Sequence, residues 1–498
     1  MANVKATDLI DFTRASEGYA LAKVSYGEEL VENGTFDSDA SGWTVNGTGA
    51  SVSVDNGVAT VTRGTNVSGI TQQVSLTVGS IYRLQGTVGL GTASSVAFRS
   101  GISGWTSTDY ANVSGAGTYE VIFVATSSSA YVTVYGGSSS GDTFTADNIS
   151  VKEVTFNQAD GTLQLFPHPD DIPRIEYDAD GNLLGLLIEE QRTNNITNSE
   201  SCSFVDKSGG TVTASTTPAP YGTSSTVKRI QSSTLNGGGR LQVTILTGGD
   251  NYCSVYVRSR TGADQNLKIT AAGTTGATQV APASGDWVRL GRVASLGAGS
   301  RDMRVLSTGD TIDLDIALPQ VELGSFPTSY IKTTGSTASR SADVAKIDVD
   351  QFGYNQNEGT VVAEFDSNGS DGSDYPRVFA LSNTSGSDLA RFLINPTNTT
   401  TVSVITSSSG VALTGWSGSI SPNTAETIAL AIKQDSFAAS LSGASTQTDA
   451  SGNMPAKADL LAIGTQTNLG NNYLNGHIKS IKYYPRRLSD AQLVELTS

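Results

Sequence analysis

The chain has 498 residues, of which 37% are hydrophobic and only 16% charged, with 54 glycines and a formal net charge of −16. That length allows three or four domains of about 100–200 residues each. The excess of carboxylates excludes a nucleic-acid partner, because affinity for a phosphate backbone rests on Lys and Arg displacing counterions. No uninterrupted apolar run reaches the roughly 18 residues that a bilayer span needs, so no membrane insertion is expected. Cys202 and Cys253 are too few for a disulfide framework and are expected as half-buried thiols. MANVKATDLIDFTRASEG lacks the apolar core of a secretory signal, and synthesis in a cytoplasm is expected.

In chain order, residues 1–27 read as an N-terminal attachment segment. Residues 28–154 open with ELVENGTFDSDASGWTV and continue through ASVSVDNGVATVT, SIYRLQGTV and AYVTVYGG. Period-two alternation over short runs separated by Gly, Asn and Ser predicts antiparallel strands with one buried face. Residues 155–194 form a connecting segment in which IEYD and LLGLLIEE flank Ala179-Asp180-Gly181-Asn182, the pattern of a β-hairpin. Residues 195–343 repeat the plan of 28–154. DTFTADNISVKEV from Asp142 and DTIDLDIALPQVEL from Asp310 share Asp-Thr, a second aspartate five residues on (Asp147, Asp315) and an apolar strand running to Glu153 or Glu322. Each copy is predicted to close its own sandwich, with the two aspartates in equivalent places. Residues 344–498 begin with EGTVVAEFD and end in a strand and a short helix, whose start is marked by Ser489 and Gln492 as a capping box before Leu493 and Leu496. The predicted fold class is therefore all-β, as tandem antiparallel β-sandwiches with short connecting hairpins.

Residues able to carry chemistry are sparse. The two histidines, His168 and His477, cannot furnish a zinc site or, without a nucleophile elbow, a Ser-His-Asp site. His168 between two prolines predicts an exposed turn, and His477 a sheet-face position. Glu364 and Asp366 begin an E-x-D-x-x-E pattern of paired acids, but Gly369 stands at its third place, so no catalytic residue is assigned and the chain is expected not to be an enzyme. Sugar binding needs an aromatic platform flanked by polar groups. Trp43 and Trp287 lie in strand patterns and are predicted as core, whereas Trp105 and Trp416 stand in turn-rich stretches; these two, with Tyr110 and Tyr375, are the predicted ligand-binding residues.

The opening NGTF, Trp43 and the closing DNISVKE resemble carbohydrate-binding modules of the jelly-roll type, while the end of the chain is similar to a laminin-G or concanavalin-A-like sandwich. DFTRASEG at Asp11, GLLIEEQRTN before Asn195 and LGSFPTSYIKTTGSTASRSAD from Leu323 resemble phrases of a family of tailed-bacteriophage virion proteins, with the first jelly roll lying as an insertion between the start and the hairpin. The resemblance implies a fibre or spike subunit located in the virion. It would engage host-surface polysaccharide through sandwich domains, meet other virion proteins through its N-terminal portion, and assemble as a homotrimer. A capsid or tail decoration protein that binds no receptor, and a polysaccharide depolymerase, are the alternatives. Laminin-G-like folds often hold a hard cation on loop carboxylates, which implies Ca2+ at Asp366, Asp371 and Asp374, and places the binding activity in residues 344–498.

Overall fold

A computed structural model describes residues 10–498 except 272–275, 369–374, 384–387, 395–401, 407–411, 414–419, 421, 453, 455–456 and 467–471; for 388–389, 402–406 and 412–413 only the backbone is described. The chain is all-β, built from antiparallel sheets. It forms two compact units, Lys23–Thr162 and the remainder, Met1–Ala22 with Leu163–Ser498. Among the described residues no helix is long and apolar enough to cross a membrane.

The unit of residues 23–162 is a two-sheet sandwich. One sheet runs Ser51–Asp55, Val58–Thr62, Thr143–Phe156, Ile81–Gly89, Gly117–Val124, and the other Thr44–Asn46, Ser68–Ser75, Ser129–Gly136, Val96–Gly101, Ala111–Ser114. Inward residues of the alternating runs, among them Phe36, Ile70, Leu84, Phe98 and Phe144, make its core. Trp43 belongs there as predicted, and its indole N–H donates to the Asn33 carbonyl at 3.1 Å.

The second sandwich repeats these ten strands in the same order, without the pairing that Thr143–Phe156 also makes with Gly18–Glu29 in the first. Its sheets run Gly210–Ala214, Lys228–Ser232, Ile312–Leu323, Gly249–Ser259, Val288–Leu296, and Val205–Lys207, Gly238–Ile245, Gly299–Ser307, Gln265–Ala271, Gln279–Ala281. Both closing strands carry one bulge, where the pairing slips a residue after Asp147 in the first copy and after Ala317 in the second. The extra residues, Asn148 and Leu318, both have φ 51°. Counted from the bulge, the counterpart of Asp315 is Thr145, so Asp147 and Asp315 lie two residues out of register on the same face, roughly 7 Å along a strand. The repeat is one of fold, and the bulge marks its register better than the aspartates do. Phe204, which stands where the first copy has tryptophan, is likewise buried. Cys202 and Cys253 are free and fully buried rather than half-buried, and burial pushes both thiols up to about 12.

The last sandwich uses more of the chain than its C-terminal stretch. One sheet runs Asp11–Thr13, Val344–Asp348, Leu460–Ile463, Arg377–Ser382, Asp388–Ile394, Val402–Thr406, Ala412–Leu413, and the other Ile175–Tyr177, Leu183–Ile188, Gly476–Tyr484, Glu358–Phe365, Glu426–Lys433, Phe437–Leu441, Gln447–Asp449. The hairpin forms as the sequence predicts: Asp178 Oδ1 accepts the N–H groups of Asp180 and Asn182, and Gly181 takes φ 79°. It is nevertheless part of a sheet, because Leu186, Leu187 and Ile188 pair with Ile478, His477 and Gly476. Phe12 and Ile188 share the core with Phe379, Phe392 and Ile463. Without residues 344–498, both Asp11–Thr13 and the hairpin would lose their strand partners. The helix Asp490–Thr497 carries its capping box at Ser489 and Gln492 and packs Leu493 against Val362 and Ala429.

Candidate functional site

Polar side chains gather in two kinds of place, one closed to water and one open to it. The closed one is an ion network drawn from stretches far apart in sequence. Asp343 accepts from Arg14 Nη1 at 3.3 Å, from Arg174 Nη2, and from the Glu189 N–H at 2.9 Å. Glu189 accepts from Arg174 at 2.9 Å, from Arg340 at 2.7 Å, and from the Ser329 N–H and hydroxyl, each at 2.7 Å. Burial works to raise the Glu189 carboxyl, but Arg340 and Arg174 outweigh it and hold the group down to about 2. Arg14 also donates to the carbonyls of His168 and Pro169. His168 is no exposed turn: it ends the strand Thr162–His168, is buried, and is driven down to about 3 by burial and then by Arg14 and Arg174, so it is neutral. With no access for a ligand, this network is scaffold.

The second enclosed histidine is His477. It lies on the strand Gly476–Tyr484 as predicted but is buried, with Nε2 at 2.8 Å from Glu176 and Nδ1 at 2.9 and 3.0 Å from the two Asp366 oxygens. Burial alone would lower the imidazole, yet these two carboxylates raise it to about 10, making it a fixed cation. Asp366, expected as a calcium ligand, thus has both oxygens turned to His477. Asp371 and Asp374 lie outside the described residues, and among those described there is no group of three or more His, Cys, Asp or Glu able to hold a metal ion.

The predicted ligand-binding aromatics are divided between the two units. Trp105 is half-buried in a turn. Tyr110 stacks on Phe123 at 4.3 Å, and its hydroxyl accepts the N–H groups of Thr126 and Ser127. Both belong to the unit of residues 23–162, whereas Tyr375, 43% exposed, belongs to the other. Trp416 lies outside the described residues.

The open site is a cleft of about 560 Å³ on the second sandwich, walled by Trp287, Tyr221, Pro218 and Arg258 with Asp180 and Asp286 at its rim. Trp287 is the residue whose predicted core position is overturned. It precedes the strand Val288–Leu296, is half-buried, and is held by its indole N–H donating to the Pro218 carbonyl at 3.2 Å. Tyr221, in the turn Pro220–Gly222 with φ 46°, donates its hydroxyl to the Trp287 carbonyl at 3.1 Å. Burial, with Asp286 and Asp180 nearby, raises the Tyr221 phenol, so it remains a hydrogen-bond donor at neutral pH. Arg258 is anchored by its Nε donating to the Gly285 carbonyl. A fixed aromatic edge beside two carboxylates and a guanidinium can take a ring that has an apolar face and a rim of hydroxyls.

No protein-family model and no curated protein matches the chain. Among solved structures it is similar to a carbohydrate-binding module of the CBM4 group, at 20% identity over 25% of this chain and 99% of that one, with a TM-score of 0.21. It is also similar to the tandem CBM22 modules of Xyn10C from Paenibacillus barcinonensis, at 13% identity over 61% and 98% of the chains and a TM-score of 0.21. A third is a Trypanosoma rangeli sialidase in complex with sialic acid, at 10% identity over 89% and 82% and a TM-score of 0.24. The expectation that this chain is not an enzyme is dropped, since sialidases stand among these matches. At TM-scores this low, neither a ligand nor an activity is taken from any of them.

Proposed function

We propose that this chain is a structural fibre or spike subunit of a tailed-phage virion that holds host-surface glycans at the Trp287 cleft. The observation that carries the glycan reading is the cleft itself, an aromatic wall with carboxylates and a guanidinium set around it. The virion reading draws on the phrases shared with that family. Arg14, Glu189, Ser329, Arg340 and Asp343, taken from FTRAS, LLIEE, FPTSY and SRSAD, meet in one buried network, as expected of phrases that specify one shared scaffold. A single shallow sugar site binds weakly, and several copies on one particle would raise capture through local concentration.

Trp287→Ala is the direct test. A central aromatic anchor is worth about 2 kcal/mol or more, so binding of the full-length protein to host cells or to extracted surface polysaccharide should weaken at least tenfold. The melting midpoint should fall by less than truncation of a fully buried ring would cost, because Trp287 is half-buried and packs only at the margin of the cluster around Val227 and Tyr330. Undiminished binding would remove the cleft from this role, and a large drop in melting temperature would mark the tryptophan as a structural residue. The homotrimer implied by the virion reading is checked by light scattering of the folded protein at micromolar concentration. Three times the chain mass is expected, and a single chain mass would defeat that assembly.

A further inference from the structure

A second cavity of about 370 Å³ adjoins the Trp287 cleft, sharing Arg258, Ser284 and Gly285 with it as a common wall. Its lining is different in kind: Thr217, Ser259 and Ser284, the exposed Arg260, and no aromatic ring, with the exposed hydroxyl supplied by Ser284 while that of Ser259 is held by the Ala263 carbonyl at 2.7 Å and the Gln265 amide at 2.8 Å. Asp315 at its base is spent on Arg260, whose Nη1 lies 2.8 and 2.9 Å from its two oxygens, and on the Thr217 hydroxyl at 2.7 Å. The charge left along the joined trough is two exposed carboxylates, Asp180 and Asp286, against Arg258, which makes no ion pair among the described residues. The chain as a whole carries −16.

Resting on the glycan reading of the cleft, we propose that its ligand is a neutral oligosaccharide chain spanning both cavities. One sugar lies against Trp287 and the next in the polar trough beyond Arg258, against Ser284 and Arg260. A lone ring seated at Trp287 would use only the aromatic cavity, leaving the second to water. A uronate polymer would set a carboxylate at every repeat against Asp180 and Asp286, within the roughly 8–10 Å over which charges act at ordinary salt, and only one unpaired guanidinium would offset it. A neutral chain meets no such repulsion, and its hydroxyls can both donate to the carboxylates and accept from Arg258.

The full-length protein is titrated calorimetrically with neutral gluco-, galacto- and manno-oligosaccharides of one to four residues, and with oligogalacturonates of the same lengths. Affinity for the best neutral series should rise at least tenfold from one residue to three and change little between 50 and 300 mM salt. Ala283→Trp, a substitution at an exposed position lining only the second cavity, should bring the trisaccharide back to the monosaccharide's affinity and leave the monosaccharide unaffected. Trp287→Ala should weaken both. Equal affinity for one and three residues, an Ala283→Trp protein that binds the trisaccharide as wild type does, or tighter binding of the uronates would each overturn the two-cavity neutral ligand while leaving the glycan cleft standing. Binding by no sugar, or binding indifferent to Trp287→Ala, would overturn both.

Discussion

Asp343→Ala is expected to unfold much of the unit that contains residues 163–498. The carboxylate is fully buried and accepts from two guanidinium groups and one backbone N–H. Without it, Arg14 loses the one ion pair it makes among the described residues, and Arg174 and Arg340 are left to share Glu189. Removing one member of a buried ion pair costs about 3–5 kcal/mol, because the charge left behind is uncompensated, and a domain has only about 5–15 kcal/mol to lose. The loss should be confined: limited proteolysis of the variant should release a resistant fragment near residues 23–162, which form a compact unit of their own. Asp343→Asn, which can still accept the Glu189 N–H, should be milder than alanine. A melting curve for Asp343→Ala within about 1 °C of wild type would show that the network is dispensable, and equal loss of both units would show that they do not fold separately.

Much of this architecture is legible in the sequence, because it depends on local pattern. Alternation marks the strands, Asp178 with Gly181 marks the hairpin, and Ser489 with Gln492 marks the helix start. What pattern cannot supply is pairing over long separations. The phrases holding Arg14, Glu189, Arg340 and Asp343 are visible as phrases, but their meeting depends on how Asp11–Thr13 and the hairpin enter sheets otherwise made by the last third of the chain. His168 misleads because Pro-His-Pro reads as a turn, whereas Pro167 is tolerated in an edge strand, where a missing N–H costs no ladder bond. Trp287 misleads because it abuts a strand pattern without belonging to the strand, which begins at Val288. The run Pro282 to Asp286, rich in turn formers, carried the signal that the residue following it faces a loop-built cleft.

The buried His477 should give the protein an unusual alkaline limb of stability. Its pKa stands at about 10 against an ordinary 6.5. A group raised on folding contributes stability that is fully present below the unfolded value and disappears as pH climbs through the folded one, so the loss should run from about pH 6.5 to pH 10. At ~1.36 kcal/mol per unit, the ceiling is on the order of 5 kcal/mol. Glu189 and His168 act in the opposite direction. The depressed Glu189, at about 2, loses its contribution as pH falls from 4.5 toward 2, and His168, kept neutral with a value near 3, opposes folding as pH falls from 6.5 toward 3. His477→Gln removes the cation between Glu176 and Asp366 while keeping a donor of similar reach. It should cost about 2–4 kcal/mol at pH 7, less than a bare deletion of one partner, and should flatten the stability curve between pH 7 and 10. Denaturant titrations at half-unit pH steps on wild type and variant would read this directly. Parallel curves above pH 7 would mean that the imidazole is not charged in the folded protein, and that Glu176 and Asp366 are held by something other than its proton.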